Sequence, residues 1–202
     1  MIHLKYPLVL GSASPRRQLL LKQAGLTFRI IKTDIDESVA EKMTPARAAI
    51  ALAEKKANAC RPELRDEMAL TADTIVVVDE MILGKPAGLP EAAGMLRRLS
   101  GKTHQVITGI CLLVEGSLYS EVDITDVSFK MLSEDQIGYY VANYRPMDKA
   151  GAYGIQEWIG LTGIASIRGS YFNVMGLPVH RVFNMMQDLN LLHYTVSPLT
   201  DN

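Results

Sequence analysis

The sequence predicts a mixed α/β fold in which helices flank a partly antiparallel central sheet. Apolar runs typical of strands alternate with segments of helical periodicity along most of the 202 residues. Several predicted strands are separated only by short turns, which join antiparallel strands and are too short for a parallel crossover. The longest of these hairpins covers residues 106–129, with its turn at Glu115, Gly116 and Ser117. A sheet built only from repeated parallel βαβ units is therefore not expected.

The first well-defined element is a strand at residues 8–10, which leads into a short loop and a helix. Ser14 suits the N-cap position and Pro15 suits the first helical position. The helix should run to about Ala24 and stop at Gly25. A tight loop that ends at a helix N-terminus presents N–H groups and a partial positive charge. The segment around Ser12 is therefore a candidate anion site.

Two arginines, Arg16 and Arg17, stand in the first turn of this helix. Cations there oppose the helix dipole by roughly 0.3–1 kcal/mol each, so stability alone would favour Asp or Glu. The pair makes sense if an anion lies in front of it, since guanidinium groups bind phosphate oxygens bidentately. The alternative is two solvated arginines on an ordinary helix. The segment lacks the GxxxxGK[ST] pattern of a Walker-type P-loop.

Composition excludes several classes of function. The net charge of −1 argues against a broad nucleic-acid-binding surface, so any positive site must be local. No apolar stretch reaches the length of a membrane span, and residues 1–5 lack the architecture of a signal peptide. Cys60 and Cys111 lie far apart and are interpreted as reduced core thiols, which favours a cytoplasmic location. The four histidines show no metal-ligand spacing.

The middle of the chain continues the alternation of strands and helices. A strand is predicted at residues 27–32, followed by an acidic loop that contains Asp34, Asp36 and Glu37. The next helix runs from Thr44 and Pro45 to Cys60. A long strand at residues 68–78, a turn and a return strand at residues 81–83 come next. A helix that starts at Pro90 and stops at Gly101 then precedes the long hairpin.

The last third of the chain is predicted to contain two helices and a final hairpin. Ser133 and Gln136 form a capping box for a helix to about Tyr144. Residues 148–163 are glycine-rich and irregular, and residues 165–168 and 171–174 are predicted as a hairpin. A helix from Pro178 follows, and the tail from about residue 193 is expected to be loose. No linker divides the chain, so residues 1–202 are predicted to form a single domain.

Asp73 stands inside a strand whose other residues suit burial. An unpaired buried carboxylate is costly, so Asp73 should have a partner, either a metal, a lysine or bound water. The alternative is an aspartate at a strand edge or bulge that the backbone satisfies. Asp36 and Glu37 could supply further oxygen ligands, because Mg²⁺ favours one or two carboxylates plus substrate phosphates.

Three lysines could add positive charge to the same site. Lys56 lies at the edge of a helical stripe and either snorkels to solvent or points into a cleft. Lys85 and Lys149 lie beside glycine-containing breaks in the chain. Together with the arginine pair these lysines could neutralise a polyphosphate, although each lysine alone is typical of an exposed side chain.

Six motifs in this order closely resemble those of the Maf-like nucleoside triphosphate pyrophosphatases, over residues 8 to about 192. They are Gly11-Ser12-Ala13-Ser14-Pro15-Arg16-Arg17, Ala72-Asp73-Thr74, Gly84-Lys85-Pro86, Leu99-Ser100-Gly101-Lys102-Thr103-His104, Asp148-Lys149-Ala150-Gly151-Ala152-Tyr153-Gly154-Ile155-Gln156 and Gly169-Ser170-Tyr171. The resemblance implies cleavage of a nucleotide to its monophosphate and pyrophosphate with Mg²⁺ or Mn²⁺. It also implies an elongated fold of two lobes around a central cleft, and a homodimer.

The resemblance further implies roles for single residues. Asp73 matches the proposed proton acceptor of the family, and Glu37 matches an acid near the metal, which Asp73 would also contact. The residues that match substrate-binding positions or lie beside them in the motifs are Ser12, Arg16, Arg17, Lys56, Thr74, Lys85, Lys149 and Gln156.

Within the family, the chain resembles the dTTP/UTP pyrophosphatase branch. It has Arg16 and the complete segment from Asp148 to Gln156, whereas the 7-methyl-GTP branch tends to carry an aromatic residue and a different segment at these places. The chain departs from many relatives at Glu157 and Trp158. Three other interpretations remain. They are a non-catalytic nucleotide-binding regulator of cell division, a pyrophosphatase of another base preference such as 7-methyl-GTP, and a phosphotransferase. The regulator would need the basic cluster without Asp73, and the phosphotransferase would need an acceptor site.

Overall fold

The computed structural model describes residues 1–33, 35–36 and 43–196. These residues form a mixed α/β fold with a central, partly antiparallel sheet flanked by helices, which confirms the predicted fold class. The strands are β1 (Ile2–Leu4), β2 (Leu8–Leu10), β3 (Phe28–Ile30), β4 (Met68–Val78), β5 (Met81–Leu83), β6 (Thr103–Val114), β7 (Ser117–Phe129), β8 (Ile164–Arg168) and β9 (Leu192–Tyr194). The helices are α1 (Pro15–Gln23), α2 (Pro45–Cys60), α3 (Leu89–Leu99), α4 (Glu134–Tyr144), α5 (Trp158–Gly163), α6 (Tyr171–Val174) and α7 (Val179–Asp188).

The order of strands in the central sheet is β3-β2-β4-β6-β7-β8, and β5 also pairs with β4. Strand β2 is parallel to β3 and β4, whereas β4, β6, β7 and β8 pair antiparallel. None of the described helices is long and apolar enough to cross a bilayer. The capping box predicted at Ser133 and Gln136 is present at the start of α4.

Strand β4 continues well past the end of its neighbour β2. Leu10, the last residue of β2, pairs with Leu70, and β5 pairs with β4 only from Val76 onward. The other edge of β4 is occupied by β6 from Ala69 to Val77. Within the described part of the chain, the edge of β4 between β2 and β5 therefore has no paired strand. This gap lies at the carboxyl end of β2, where open α/β sheets tend to bind ligands.

Helix α2 covers one face of the sheet, and the main core lies on the other. Ala53, Ala57 and Cys60 of α2 pack against small and apolar strand residues in one cluster. Gly109 allows this close packing, because a Cβ at that position would lie 2.4 Å from the backbone of Ala49 in α2. The main core on the opposite face receives buried residues from α1, α3, α4 and α7.

Three predictions are wrong. Residues 158–163, which were expected to be irregular, form helix α5. Residues 171–174 form helix α6 rather than a strand, because the Ser170 side chain accepts a hydrogen bond from the Asn173 backbone and caps a helical turn. The Asn173 side chain is fully buried and donates to Val106 O and Thr125 Oγ1, so a polar residue lies where alternation indicated a strand. The tail is not loose at residues 192–194, which pair antiparallel with β1.

Candidate active site

A cleft of about 550 Å³ lies where β2 ends and β4 continues. It is lined by the loop after β2, the start of α1, the middle of β4 and residues that follow β5, α4 and α6. The predicted site residues that it brings together are Ser12, Arg16, Arg17, Lys56, Asp73, Thr74, Lys85 and Lys149. Gln156 is exposed and does not line the cleft, although its neighbour Ile155 does. Glu37 lies outside the described residues.

Asp73 is paired with a lysine. Lys56 Nζ lies 2.5 Å from Asp73 Oδ1, and both residues are buried at the cleft. Of the three partners that sequence reasoning allowed for Asp73, the structure therefore contains the lysine. The pairing depends on the close packing of α2, because Gly109, which lets α2 approach, is the β6 partner of Asp73. Burial of both groups is tolerated because the ammonium and the carboxylate neutralise each other.

Arg17 connects three parts of the cleft wall. Its Nε donates to Gly176 O at 2.7 Å, its Nη1 to Ser12 Oγ at 3.2 Å and its Nη2 to Thr74 Oγ1 at 3.1 Å. Gly176 has a φ of +104°, a conformation that L side chains rarely adopt. Arg17 therefore ties α1 to β4 and to the turn after α6, so its guanidinium is held in one orientation.

Arg16 belongs to a second chain of charged contacts. Arg16 Nη1 lies 3.0 Å from Asp148 Oδ2, and Lys149 Nζ lies 2.8 Å from Asp148 Oδ1. Lys149 Nζ also lies 3.0 Å from Glu157 Oε1, and Glu157 Oε2 accepts a hydrogen bond from the Tyr140 hydroxyl. Burial raises the pKa of Tyr140, and Glu157 raises it further, so the phenol stays protonated and donates.

The electrostatics of the cleft favour a polyanion. Among the described residues that line it are five cationic side chains and two carboxylates, whereas the whole chain has a net charge of −1. The N-terminus of α1 adds its partial positive charge on the same side. In the described part of the chain, no three His, Cys, Asp or Glu residues cluster tightly enough to hold a metal ion unaided. The cleft can thus neutralise a chain of phosphates beside one buried carboxylate.

A family model described as Maf-like protein matches residues 7–189. The chain belongs to this family. Bacteroides fragilis has a Maf-like relative, named dTTP/UTP pyrophosphatase, that is 46% identical over 188 residues, covering 92% of this chain and 97% of the relative. A relative of the same name from Phocaeicola vulgatus is 47% identical with the same coverage. One from Cytophaga hutchinsonii, also with that name, is 42% identical over 90% of this chain and 84% of its own length.

One residue of the Maf-like cleft belongs to a buried aromatic pair to which the sequence assigned no role. Tyr153 lines the cleft, and its hydroxyl lies 2.8 Å from His104 Nε2. Burial lowers the pKa of His104 to about 4, so its imidazole is neutral near pH 7. Both residues occur in the motifs that carry the resemblance, but a histidine next to an apolar strand gives no signal of its partner. The same holds for Glu157, whose contact with Lys149 only the fold reveals.

Proposed function

We propose that this Maf-like chain is a nucleoside triphosphate pyrophosphatase that hydrolyses dTTP and UTP to the monophosphate and pyrophosphate. The observation that carries the proposal is the buried Asp73 carboxylate, held by Lys56 beside a strongly cationic cleft. Relatives that are 42–47% identical over most of the chain are named dTTP/UTP pyrophosphatase, and these names support the same substrates.

The cationic residues bind and orient the triphosphate. Phosphoryl chemistry needs positioning and charge neutralisation more than covalent chemistry, and arginines and lysines supply both. Arg17 is held in one orientation by three hydrogen bonds, so little ordering remains to be done when a phosphate arrives. Lys85, which is exposed on the cleft lining after β5, adds a further positive charge.

Asp73 accepts the proton of the attacking water. A positioned carboxylate can act as a general base, and the 2.5 Å contact with Lys56 fixes the orientation of this one. No serine–histidine or cysteine–histidine pair lines the described part of the cleft, so hydrolysis by activated water fits the residues better than a covalent intermediate.

We also propose a divalent cation, Mg²⁺ or Mn²⁺, at this place, because the buried Asp73 carboxylate offers it an oxygen ligand. The Asp73 carboxylate, together with Glu37 beyond the described residues, would hold it with oxygens of the substrate phosphates, as Mg²⁺ prefers. When bound, the cation neutralises charge that develops on the phosphate oxygens.

Gln156 is the residue we assign to base selection. Thymine and uracil present carbonyl oxygens and an N3–H group, and an amide can both donate and accept. Gln156 directly follows Ile155 of the cleft lining. A site built on such paired hydrogen bonds rejects bases that leave its polar groups unmatched.

The test is pyrophosphate release from the full chain with Mg²⁺ and one nucleotide at a time. We expect the kcat/KM for dTTP and UTP to exceed the kcat/KM for CTP, ATP, GTP and 7-methyl-GTP. Equal values for all six would contradict the pyrimidine preference. Chromatography of the products separates the alternatives, because a phosphotransferase leaves a diphosphate and a non-catalytic regulator leaves the triphosphate intact.

We further expect the protein to act in the cytoplasm as a homodimer. We expect it to bind a nucleotide and to bind neither nucleic acid nor a membrane. Light scattering coupled to size-exclusion chromatography measures the molar mass in solution. A mass equal to that of a single chain would contradict the dimer.

A further inference from the structure

Asp148 joins two cationic side chains of the cleft, with one carboxylate oxygen on each. Arg16 Nη1 lies 3.0 Å from Oδ2, and Lys149 Nζ lies 2.8 Å from Oδ1. Arg16 stands in the first turn of α1, whereas Asp148 and Lys149 belong to the segment after α4. The carboxylate therefore bridges two walls of the cleft.

A carboxylate held in this way occupies the position that an anionic ligand needs. Carboxylate and phosphate oxygens bind guanidinium and ammonium groups with the same charge-assisted hydrogen bonds. All three residues line the cleft. A phosphate that bridges Arg16 and Lys149 through these same two nitrogens therefore competes with the Asp148 carboxylate.

Asp148 is the member of this group that is best placed to leave. Its side chain is 59% exposed, compared with 29% for Arg16 and 10% for Lys149. A more exposed side chain can rotate into water at lower cost, because its charge is easily solvated. The two cations are thus part of the wall, and the carboxylate lies in front of them.

Lys149 keeps a second anchor when Asp148 moves away. Its ammonium also contacts Glu157 Oε1 at 3.0 Å, and Glu157 is held by the hydroxyl of the fully buried Tyr140. Gly154 makes room for this contact, since a Cβ there would lie 2.7 Å from the Glu157 carboxyl carbon. Loss of the Asp148 contact therefore leaves Lys149 in the cleft.

The Asp148 carboxylate is charged at neutral pH. Partial burial works to raise the pKa of Asp148, but the hydrogen bonds from Lys149 and Arg16 outweigh it and hold that pKa below the ordinary value. An incoming phosphate therefore meets a competing anion near neutral pH.

We propose that Asp148 is an internal competitor of the substrate, which occupies the anion position between Arg16 and Lys149 until a phosphate of the ligand displaces it. This inference rests on the proposed function in that the cleft must bind a polyphosphate. Asp148 then determines the affinity of the cleft for anions, and its return to the two cations helps pyrophosphate to leave.

The test compares wild type with Asp148→Asn, which keeps the size of an exposed side chain and removes its charge. The probe is inorganic tripolyphosphate, whose binding is measured by calorimetry without turnover. We expect Asp148→Asn to bind it about tenfold more tightly, because two partly exposed ion pairs no longer oppose binding. Inorganic pyrophosphate should also bind the variant more tightly.

Glu157→Gln is the matched control. It also removes one carboxylate from contact with Lys149, but Glu157 anchors that lysine, whereas the ion-pair partner of Arg16 in the described structure is Asp148. Its gain in tripolyphosphate affinity should therefore be smaller than that of Asp148→Asn. An equal gain in Glu157→Gln would show that loss of any nearby negative charge explains the tighter binding, and it would overturn the proposal. Unchanged, weaker or absent tripolyphosphate binding in Asp148→Asn would overturn it too.

The same proteins separate this inference from the proposed function. A wild type that binds tripolyphosphate but releases no pyrophosphate from dTTP or UTP would contradict the function, and the binding comparison would still decide the role of Asp148. If the wild type is active but Asp148→Asn binds tripolyphosphate no more tightly, only the inference about Asp148 is contradicted and the proposed function stands.

Discussion

Lys56 and Asp73 form an ion pair whose side chains are only 10% and 12% exposed, with 2.5 Å between Nζ and Oδ1. The lysine comes from α2 and the aspartate from β4, so the contact holds a helix to the sheet at the cleft. A charged pair with little solvent around it affects both the stability of the fold and the chemistry of the site.

Asp73→Asn is expected to lower turnover by about 10²–10⁴-fold, the usual scale for loss of an acid–base group. It should also lower the free energy of unfolding, by about 1–3 kcal/mol, because the buried Lys56 ammonium loses its counter-charge and keeps at most a weaker hydrogen bond to the amide oxygen. Pyrophosphate release and thermal melting of one purified variant measure both effects. Asp79→Asn is the control, since it removes the partner of Lys102 from an exposed pair at the far end of β4. Near wild-type turnover in Asp73→Asn would show that Asp73 is structural, and Glu37 would become the candidate base.

Arg17→Ala is expected to reduce kcat/KM by about 10- to 100-fold, because charge-assisted hydrogen bonds in the cleft are lost. Arg17→Lys should recover only part of the activity. A single ammonium group cannot reproduce the hydrogen bonds that three guanidinium nitrogens donate to Ser12, Thr74 and Gly176. Steady-state kinetics with dTTP checks both variants. Equal and unchanged affinity for nucleotide in the two variants would remove Arg17 from the phosphate site.

Gln156→Ala is expected to lower kcat/KM for dTTP and UTP more than it lowers kcat/KM for CTP. The reason is that the amide contributes hydrogen bonds that only some bases can match. The ratio of kcat/KM values for UTP and CTP measures this effect. Since Gln156 is exposed, melting temperature should not change, which separates selectivity from folding. An unaltered ratio would assign base selection to other residues.

His104 is expected to make the protein less stable as the pH falls from about 6.5 toward 4. Burial lowers the pKa of His104 from 6.5 to about 4, so in this window the unfolded chain binds a proton that the folded chain does not. The loss should be roughly 3 kcal/mol over the whole window. His104→Gln, compared with His180→Gln at an exposed position, should flatten the dependence of melting temperature on pH. Parallel curves for wild type and His104→Gln would contradict the assignment.

Local signals predicted most of the fold. Thr44 before Pro45 and Ser133 before Gln136 each mark a helix start, because the capping side chain meets a backbone N–H only a few residues away. The strand at residues 68–78 was readable from its apolar run. The helix at residues 171–174 was not predicted from the sequence. The conformation there depends on contacts of Ser170 and Asn173 with distant strands.

The candidate site was predicted as a set of residues but not as a set of contacts. Sequence reasoning placed Lys56 and Asp73 in one site, yet their pairing requires α2 to lie on Gly109, which is encoded more than thirty residues further along the chain. Likewise, Arg17 was expected to hold phosphate, and its contact with the carbonyl of Gly176 depends on the last third of the chain. Long-range packing decides such contacts, and no local pattern records it.

Where β4 lines the cleft, its alternate residues face two different parts of the site. Successive side chains of a strand point to opposite faces, so Asp73 meets α2 while Thr74 meets Arg17 and Thr108 on the side of the main core. Odd-numbered positions of this stretch thus face α2, where Asp73 meets Lys56, and even-numbered positions face the main core, where Thr74 meets Arg17. A shift of β4 by one residue would exchange the two sets, with a threonine facing Lys56 and a carboxylate turned toward the core. The continuous pairing of β4 with β6 from Ala69 to Val77 is what prevents this exchange, so the chemistry of the cleft is set by a strand alignment that extends well beyond it.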